Sequence, residues 1–565
     1  MKILVTIIFI LLSVQLPVLS SVIPTPHGMK VTLRTPIVPV LSGRKHSPSE
    51  SITIVSDKKT TFNNLKLDFQ GTTDYRDIEE VAIYTSSNGK EFTETNCVGI
   101  SATKGKSSIR IPLSCSINPD TINLWVGITL KDSINLNHKL RVNVTEISTN
   151  NGTFRLPAQK DVNTGMHRIG IALHCKGEEG VSTCRIPGIV TASDNSLIAI
   201  FDARRENARD LQGDIDIAFK RSIDGGSTWS SMHNILDMGN WGGLPQRYNG
   251  VSDACIIKDP ITNRIFVAGL WMHGALDKDG KWIEGLDEKS NYWIHQWKGK
   301  GSQPGIGVKE TCQFIIAFSD DNGITWSKPR NITAETKRNE WWLYAPAPGQ
   351  GLALRNGAII IPSQGRDENG LPFSNITYSL DHGETWSASN PAWKNVTECN
   401  AVELSNGDIM LNMRDNRNRG HIYPNGRRIC VSSDLGMNWQ EHPTSRHTLV
   451  EPTCMASLYR HNYLTSKGGK ASVLLFVNPD DYKTRHNLTL KASFDDGMTW
   501  HKQNSILFDE TQSMGYSSIT SVDPQTIGIL YESGLADLVF IHISLDEIMN
   551  SPKNANYKSS NSKSK

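Results

Sequence analysis

The chain lacks an excess of charge of either sign, with 59 Lys and Arg against 57 Asp and Glu in 565 residues. A nucleic-acid binder relying on bulk positive charge is not indicated, and any charged ligand must be caught by a local cluster. Beyond its first twenty residues the chain has no apolar run approaching the ~20 residues that a membrane span needs. It also lacks zinc-type cysteine spacing, a His-Glu-x-x-His pair, a Walker loop and a Gly-x-Gly-x-x-Gly ahead of a helix, so neither a metal nor a cofactor is expected. His273, His295 and His421 are scattered without ligand spacing and read as loop residues. The nine cysteines are odd in number, so at least one thiol is unpaired within the chain. Cys97 with Cys115 is the one pairing suggested.

What the chain has in quantity is glycine and tryptophan: 45 Gly, and 14 Trp beside 15 Phe. Helical proteins have little use for so many glycines, whereas short strands joined by tight turns do. At this length several domains are expected. The first twenty residues read as a cleavable export signal: Met1-Lys2 supplies the charge, Ile3 to Leu19 the apolar stretch, and Val18-Leu19-Ser20 the cleavage site. An exported protein follows, whether secreted, periplasmic or at the cell surface.

The strongest internal feature is a repeat. SIDGGSTW ending at Trp229, SDDNGITW at Trp326, SLDHGETW at Trp386, SSDLGMNW at Trp439 and SFDDGMTW at Trp500 share the pattern Ser-x-Asp-x-Gly-x-Thr-Trp, with Asn438 its single lapse. The Asp can accept hydrogen bonds from following backbone amides, the Gly can take positive φ, and the Trp pins the turn to an apolar layer. The Trp spacings of 97, 60, 53 and 61 fit a unit of roughly 60 residues, with an insertion or an unmarked unit in the first gap. Short apolar runs between the turns, such as Ile256-Ile257, Ile359-Ile360-Ile361 and Leu474-Leu475-Phe476, read as strands. Residues 161–550 leave room for six such units, and radial repetition of four-stranded sheets predicts a six-bladed β-propeller. Residues 22–155 carry no box; alternation at Val81-Ala82-Ile83-Tyr84 and Leu124 to Thr129 predicts a separate β-sandwich. The Ser/Lys/Asn-rich end, 551–565, is expected to be disordered.

Turn boxes alone suit a binding propeller as well as an enzyme. Cys184-Arg185-Ile186-Pro187-Gly188-Ile189, the five boxes and the downstream GYSSIT together resemble the bacterial-type exo-sialidases (neuraminidases) over 161–550. The segment before it is more weakly similar to the carbohydrate-binding-like N-terminal domain that some of these enzymes carry. The resemblance implies retaining release of terminal sialic acid from glycoproteins, glycolipids or oligosaccharides.

Three arginines that clamp the substrate carboxylate match Arg185 in the Arg-Ile-Pro motif, Arg414 in LNMRD and Arg485 ahead of the last box. Guanidinium forks suit this task because they bind carboxylates bidentately and do not lose their charge. Tyr516 matches the family's nucleophile and Glu398 its partner base. A neutral phenol avoids repulsion by the carboxylate on the anomeric carbon, provided a base takes its proton. Asp210 matches the acid on a mobile loop, with Asp214 and Asp216 as rivals that look like strand residues.

Arg205 matches an arginine facing the acetamido side of the sugar, with Arg204 read as a neighbouring surface charge. Asp253 matches a pocket aspartate on the same side, and Glu532 a glutamate holding the first arginine. Cys184 departs from the family, which generally has an aromatic residue there. A trans-sialidase, or a non-catalytic glycan-binding propeller, are the alternatives.

Overall fold

The computed structural model describes residues 20–24, 29–87, 89, 91–157, 165–279, 281–292, 302–420 and 425–550. The expected leader, apart from Ser20, lies outside the described residues, as do the expected tail from 551, His295 and His421. The architecture is all-β, and among the described residues the α-helices are two short ones, Thr333–Thr336 and Leu545–Met549. None is long and apolar enough to cross a membrane.

The chain divides into two compact units, the first made of Met1–Pro36, Pro48–Ile128 and Arg141–Met166, the second of Ile37–Ser47, Thr129–Leu140 and His167–Lys565. The division is interleaved rather than a single boundary near residue 155. One reason is strand pairing: Val40–Ser42 lies parallel to Met166–His174, with Val40 opposite Ile169, and covers a sheet edge within the second unit.

The first unit has a six-stranded sheet, ordered Ser20–Pro24, Lys30–Arg34, Ser47–Ser56, Asp120–Leu130, Ile78–Ser86, Cys97–Ala102. Its four-stranded sheet is ordered Gly152–Arg155, Asn143–Thr149, Thr60–Asp68, Ser108–Ile117. The strand Ser108–Ile117 shows the two-residue period of a half-covered sheet, with Ile109, Ile111 and Leu113 buried and Arg110, Pro112 and Ser114 exposed. Cys97 and Cys115 fall in different sheets and each is a free thiol, as are the other seven cysteines, so the suggested disulfide is not formed.

Among the described residues the second unit contains six sheets built on antiparallel meanders. Sheet I has Thr183–Thr191, Leu197–Arg204, Ile215–Ser222 and His233–Leu236; sheet II has Val251–Lys258, Ile265–Trp271, Gln313–Ser319 and Arg330–Asn331. Sheet III is built on Leu343–Pro346, Ile359–Arg366, Pro372–Ser379 and Ser387–Ala388, and sheet IV on Val396–Glu403, Ile409–Asp415, Arg428–Ser432 and Gln440–Glu441. Sheet V has Ser457–Leu464, Lys470–Pro479, Leu488–Ser493 and Ser505–Asp509. Sheet VI has Ser517–Asp523, Thr526–Tyr531 and Leu538–Ser544, completed by Met166–His174 from far earlier in the chain.

The continuous apolar runs follow from this stacking, because successive side chains of a strand enter different cores. Ile256 packs with Ile198 and Ile200 of sheet I, while Ile257 packs with Ile359 and Phe373 of sheet III. Ile360 joins Leu411 of sheet IV, Met410 joins Leu474 of sheet V, and Leu475 joins Ile519 and Ile541 of sheet VI. Sheet VI meets sheet I where Trp229 lies edge-on to Phe540 at 5.3 Å. The approach is tight at Gly226, where a Cβ would fall 2.1 Å from a Phe540 ring carbon.

The first Trp gap is resolved by this order. Sheets I and II are consecutive, and the excess length is the connection from Trp271 to Gln313 inside sheet II, while the unmarked unit is sheet VI.

Each box begins at the end of a third strand and closes the turn to the fourth. In the first, Thr228 N and Oγ1 donate to Asp224 at 2.9 and 2.6 Å, Gly226 N donates to Ser222 Oγ at 2.8 Å, and Trp229 Nε1 donates to Gly226 O at 2.9 Å. At the lapsed position, Asn438 Nδ2 donates to Asp434 Oδ2 at 2.7 Å and makes the bond a Thr hydroxyl makes elsewhere. Because the strands alternate in direction, boxes occupy one end of the sheets. The starts of the first strands and the ends of the second strands occupy the other.

Candidate active site

That other end carries the chemistry. A cavity of about 580 Å³ opens there, within the range of small-ligand sites, lined among others by Arg185, Asp210, Asp253, Glu398, Arg414, Arg485 and Tyr516. The first strands of sheets I, II and IV are bulged where these residues sit: the register shifts between Arg185 and Gly188, between Ser252 and Cys255, and between Val396 and Cys399. A bulge bends the strand and re-aims its side chains. Ile186 and Asp253 take left-handed φ of 62° and 54°, a strained geometry for residues bearing a Cβ.

Tyr516 lies just ahead of the first strand of sheet VI, and its hydroxyl donates to Glu398 Oε1 on sheet IV. Arg414, at the end of the neighbouring strand, donates from Nη1 to Glu398 Oε2 at 2.5 Å and to the Tyr516 oxygen at 3.1 Å. The guanidiniums of Arg185 and Arg485 lie 5.4 and 5.7 Å from the centre of the Tyr516 ring. Burial, and then the Glu398 charge, push the Tyr516 phenol well above its usual range, against the pull of Arg414 and Arg485.

Glu532, immediately after the second strand of sheet VI, is 2% exposed. It accepts from Arg185 Nε at 2.6 Å and from the backbone amides of Ile186 and Tyr516, each at 3.0 Å. Burial works against the Arg185 charge, but Glu532 outweighs it and the guanidinium holds its proton more firmly than usual. Arg485 is tied to the carbonyl of Met514 at 2.7 Å. One carboxylate thus fixes both an arginine of the cluster and the backbone beneath the tyrosine.

Asp210 sits in the loop after the second strand of sheet I, half exposed, accepting from Arg204 Nη1 at 2.5 Å and lying 3.7 Å from Arg185 Nη1. Its rivals are separated from it: Asp214 and Asp216 face Arg205, at 3.7 and 2.8 Å, and neither lines the cavity. Burial and Asp237 raise Asp216 to about 6. Asp253 lines the cavity, and its amide donates to Asp202 Oδ1 at 3.1 Å. Burial, reinforced by Asp202 and Glu398, raises its carboxyl well above the ordinary value.

The expectation for the arginine pair is corrected. Arg205 does not line the cavity but ion-pairs with Asp216, whereas Arg204, expected at the surface, is fully buried between Asp202 and Asp210. Neighbours on a strand point to opposite faces, so only one of the two could turn inward. The available sign was Asp202-x-Arg204, two charges on the same face of an otherwise apolar strand. Cys184 is buried, with its amide donating to Asp537 Oδ2 at 3.0 Å, and burial pushes its thiol up.

Sequence reasoning also missed Gln364, Arg366, Asn416 and Arg419, which line the cavity from sheets III and IV. No box or motif marks them. His273 is buried in an aromatic group, 2.6 Å from Asn249 Oδ1, and burial lowers it to about 4.

Residues 194–529 match the BNR repeat-like domain, and residues 29–153 match the N-terminal domain of BNR-repeat neuraminidase. A sialidase of Bacteroides fragilis is 32% identical over 545 residues, 92% of this chain and 95% of that protein. A sialidase of Micromonospora viridifaciens is 31% identical over 64% of this chain and 52% of its own length. The solved structure of the Hadza microbial sialidase Hz136 covers 91% of this chain and 99% of that one, at 32% identity and a TM-score of 0.81. With that extent of likeness over both units, the chain belongs to the bacterial-type BNR-repeat sialidases (neuraminidases) and is an exo-α-sialidase, a glycoside hydrolase acting on sialylated glycans.

Proposed function

We propose that the second unit is a six-bladed β-propeller carrying a retaining sialidase site, with Tyr516 as nucleophile, Glu398 as its base and Asp210 as acid and then base. The observation that carries this reading is the contact of the Tyr516 hydroxyl with Glu398, held from the other side by Arg414. A phenol pushed above its usual range does not ionise by itself, so it attacks only as Glu398 removes its proton. Arg185, Arg414 and Arg485 converge on the tyrosine, where they would grip the sugar carboxylate and hold the anomeric carbon over the phenol oxygen. The six sheets, each sharing a core with the next and the last meeting the first, support the propeller.

In the first step the phenolic proton passes to Glu398, the oxygen bonds the anomeric carbon, and the bond to the departing glycan breaks as its oxygen takes a proton from Asp210. Asp210 is held beside the arginine cluster by Arg204 at 2.5 Å, with Arg185 at 3.7 Å. In the second step Asp210 takes a proton from water, the hydroxide oxygen replaces the phenol oxygen, and Glu398 returns its proton to Tyr516. Two inversions retain configuration. Asp253 lines the same cavity and can hydrogen-bond the sugar. Residues 1–20 support export.

Tyr516→Phe is expected to remove most turnover of a fluorogenic sialoside while the melting temperature is kept. Near-normal turnover would sink the nucleophile assignment. NMR of the first-released product should show the α-anomer; the β-anomer would exclude retention.

A further inference from the structure

The cavity carries more positive charge than one sialic acid uses. Five guanidiniums line it, those of Arg185, Arg366, Arg414, Arg419 and Arg485, against three carboxyl groups, those of Asp210, Asp253 and Glu398. Arg185 is matched by Glu532 and Arg414 by Glu398, and Asp210 is taken by Arg204. A single substrate carboxylate engages Arg185, Arg414 and Arg485. Arg366 and Arg419 line the same cavity on the wall formed by sheets III and IV.

Both are placed by the fold. Arg366 ends the second strand of sheet III and donates from Nη1 to Gly370 O at 2.9 Å, which anchors its side chain at the strand end. Arg419 lies in the 3-10 turn Asn416–Gly420 that follows the second strand of sheet IV, exposed and with no ion pair among the described residues. The charge of Arg419 reaches Arg366, whose proton is loosened by burial and then by Arg419. Two like charges on one wall of the cavity fit a bound anion.

We propose that Arg366 and Arg419 form a second anion subsite, which takes a carboxylate or sulfate of the substrate other than the carboxylate on the anomeric carbon. The preferred substrates are then doubly anionic sialosides. This rests on the sialidase site as assigned above. The second anion can come from a neighbouring sialic acid in the leaving glycan or from an acidic substituent on the terminal sugar.

The test compares kcat/KM of wild type, Arg419→Gln and Arg419→Lys on three substrates: 3′-sialyllactose, an α2,8-linked disialyl-lactose, and a sialoside sulfated on its glycerol side chain. Arg419→Gln should lose roughly ten-fold more on a doubly anionic substrate than on 3′-sialyllactose, Arg419→Lys should restore part of that difference, and high salt should erode it. Loss confined to the disialyl substrate identifies the neighbouring sugar as the source, and loss confined to the sulfated one identifies the side chain. An equal factor on all three substrates, with 3′-sialyllactose still turned over by wild type, would overturn the subsite alone. No turnover of 3′-sialyllactose by wild type would overturn the assigned activity and the subsite with it.

Discussion

Replacing Glu532 by Ala tests how the site is held together. The carboxylate accepts from Arg185 Nε at 2.6 Å and from the amides of Ile186 and Tyr516 at 3.0 Å, in a place that is 2% exposed. Its removal leaves a guanidinium that is itself 8% exposed without its counter-charge, and two buried amides without an acceptor. Breaking a buried ion pair from one side costs about 3–5 kcal/mol. The orphaned amides act through the same site and do not add in full. With an unfolding entropy of about 2 cal/mol/K per residue over a unit of this size, that is a fall of about 4–6 °C in melting temperature.

Glu532→Gln keeps an acceptor oxygen but not the charge, and should fall between wild type and Ala. Because Arg185 is then no longer fixed over Tyr516, KM for a sialoside should rise together with the loss of stability. Thermal unfolding followed by circular dichroism, alongside steady-state kinetics, reads both. An Ala variant melting within about 1 °C of wild type, with unchanged KM, would refute the argument that this one carboxylate supports both residues.

Exchange of the arginine pair gives a second check: Arg204→Lys cannot bridge Asp202 and Asp210 as the fork does, so kcat should fall about ten-fold or more, while Arg205→Ala, outside the cavity, should stay within about two-fold. The opposite ranking would mean that Arg205 faces the substrate. In the first unit, Glu50 is fully buried, accepts from Thr35 Oγ1 at 2.6 Å, and is pushed up to about 8, by burial first. The folded form therefore keeps a proton that the unfolded chain releases near pH 4.5. The stability tied to this residue is present in full below that pH and is lost as pH rises to about 8, with a slope of at most about 1.4 kcal/mol per pH unit. Glu50→Gln should flatten that decline, as measured by amide exchange of the first unit against pH; an unaltered slope would mean that Glu50 is not the group responsible.

The repeat was legible because its chemistry is local. Asp224, Gly226, Thr228 and Trp229 satisfy one another within eight residues, and Asn438 could replace a threonine because its amide reaches the same oxygen. The resemblance also located residues that the fold brings together from four sheets: Arg185, Asp210, Glu398, Arg414, Arg485 and Tyr516 all line one cavity. The arginine pair at 204 and 205 was not separable in this way, since the choice of which one turns inward depends on strand phase at a sheet end. Arg366 and Arg419 carried no sign at all, because each is an ordinary strand-end or turn residue until sheets III and IV are set side by side.

Composition and local pattern by themselves determined an all-β chain of box-marked units, because turn chemistry and strand alternation act between near neighbours. Which charges meet was decided only by the tertiary structure. Glu532 reaches Arg185 across 347 residues and Glu398 reaches Tyr516 across 118, distances over which no sequence pattern fixes an angle or a burial. The near-equal totals of acid and base concealed a cavity where five guanidiniums converge, since a sum over the chain carries no information on position.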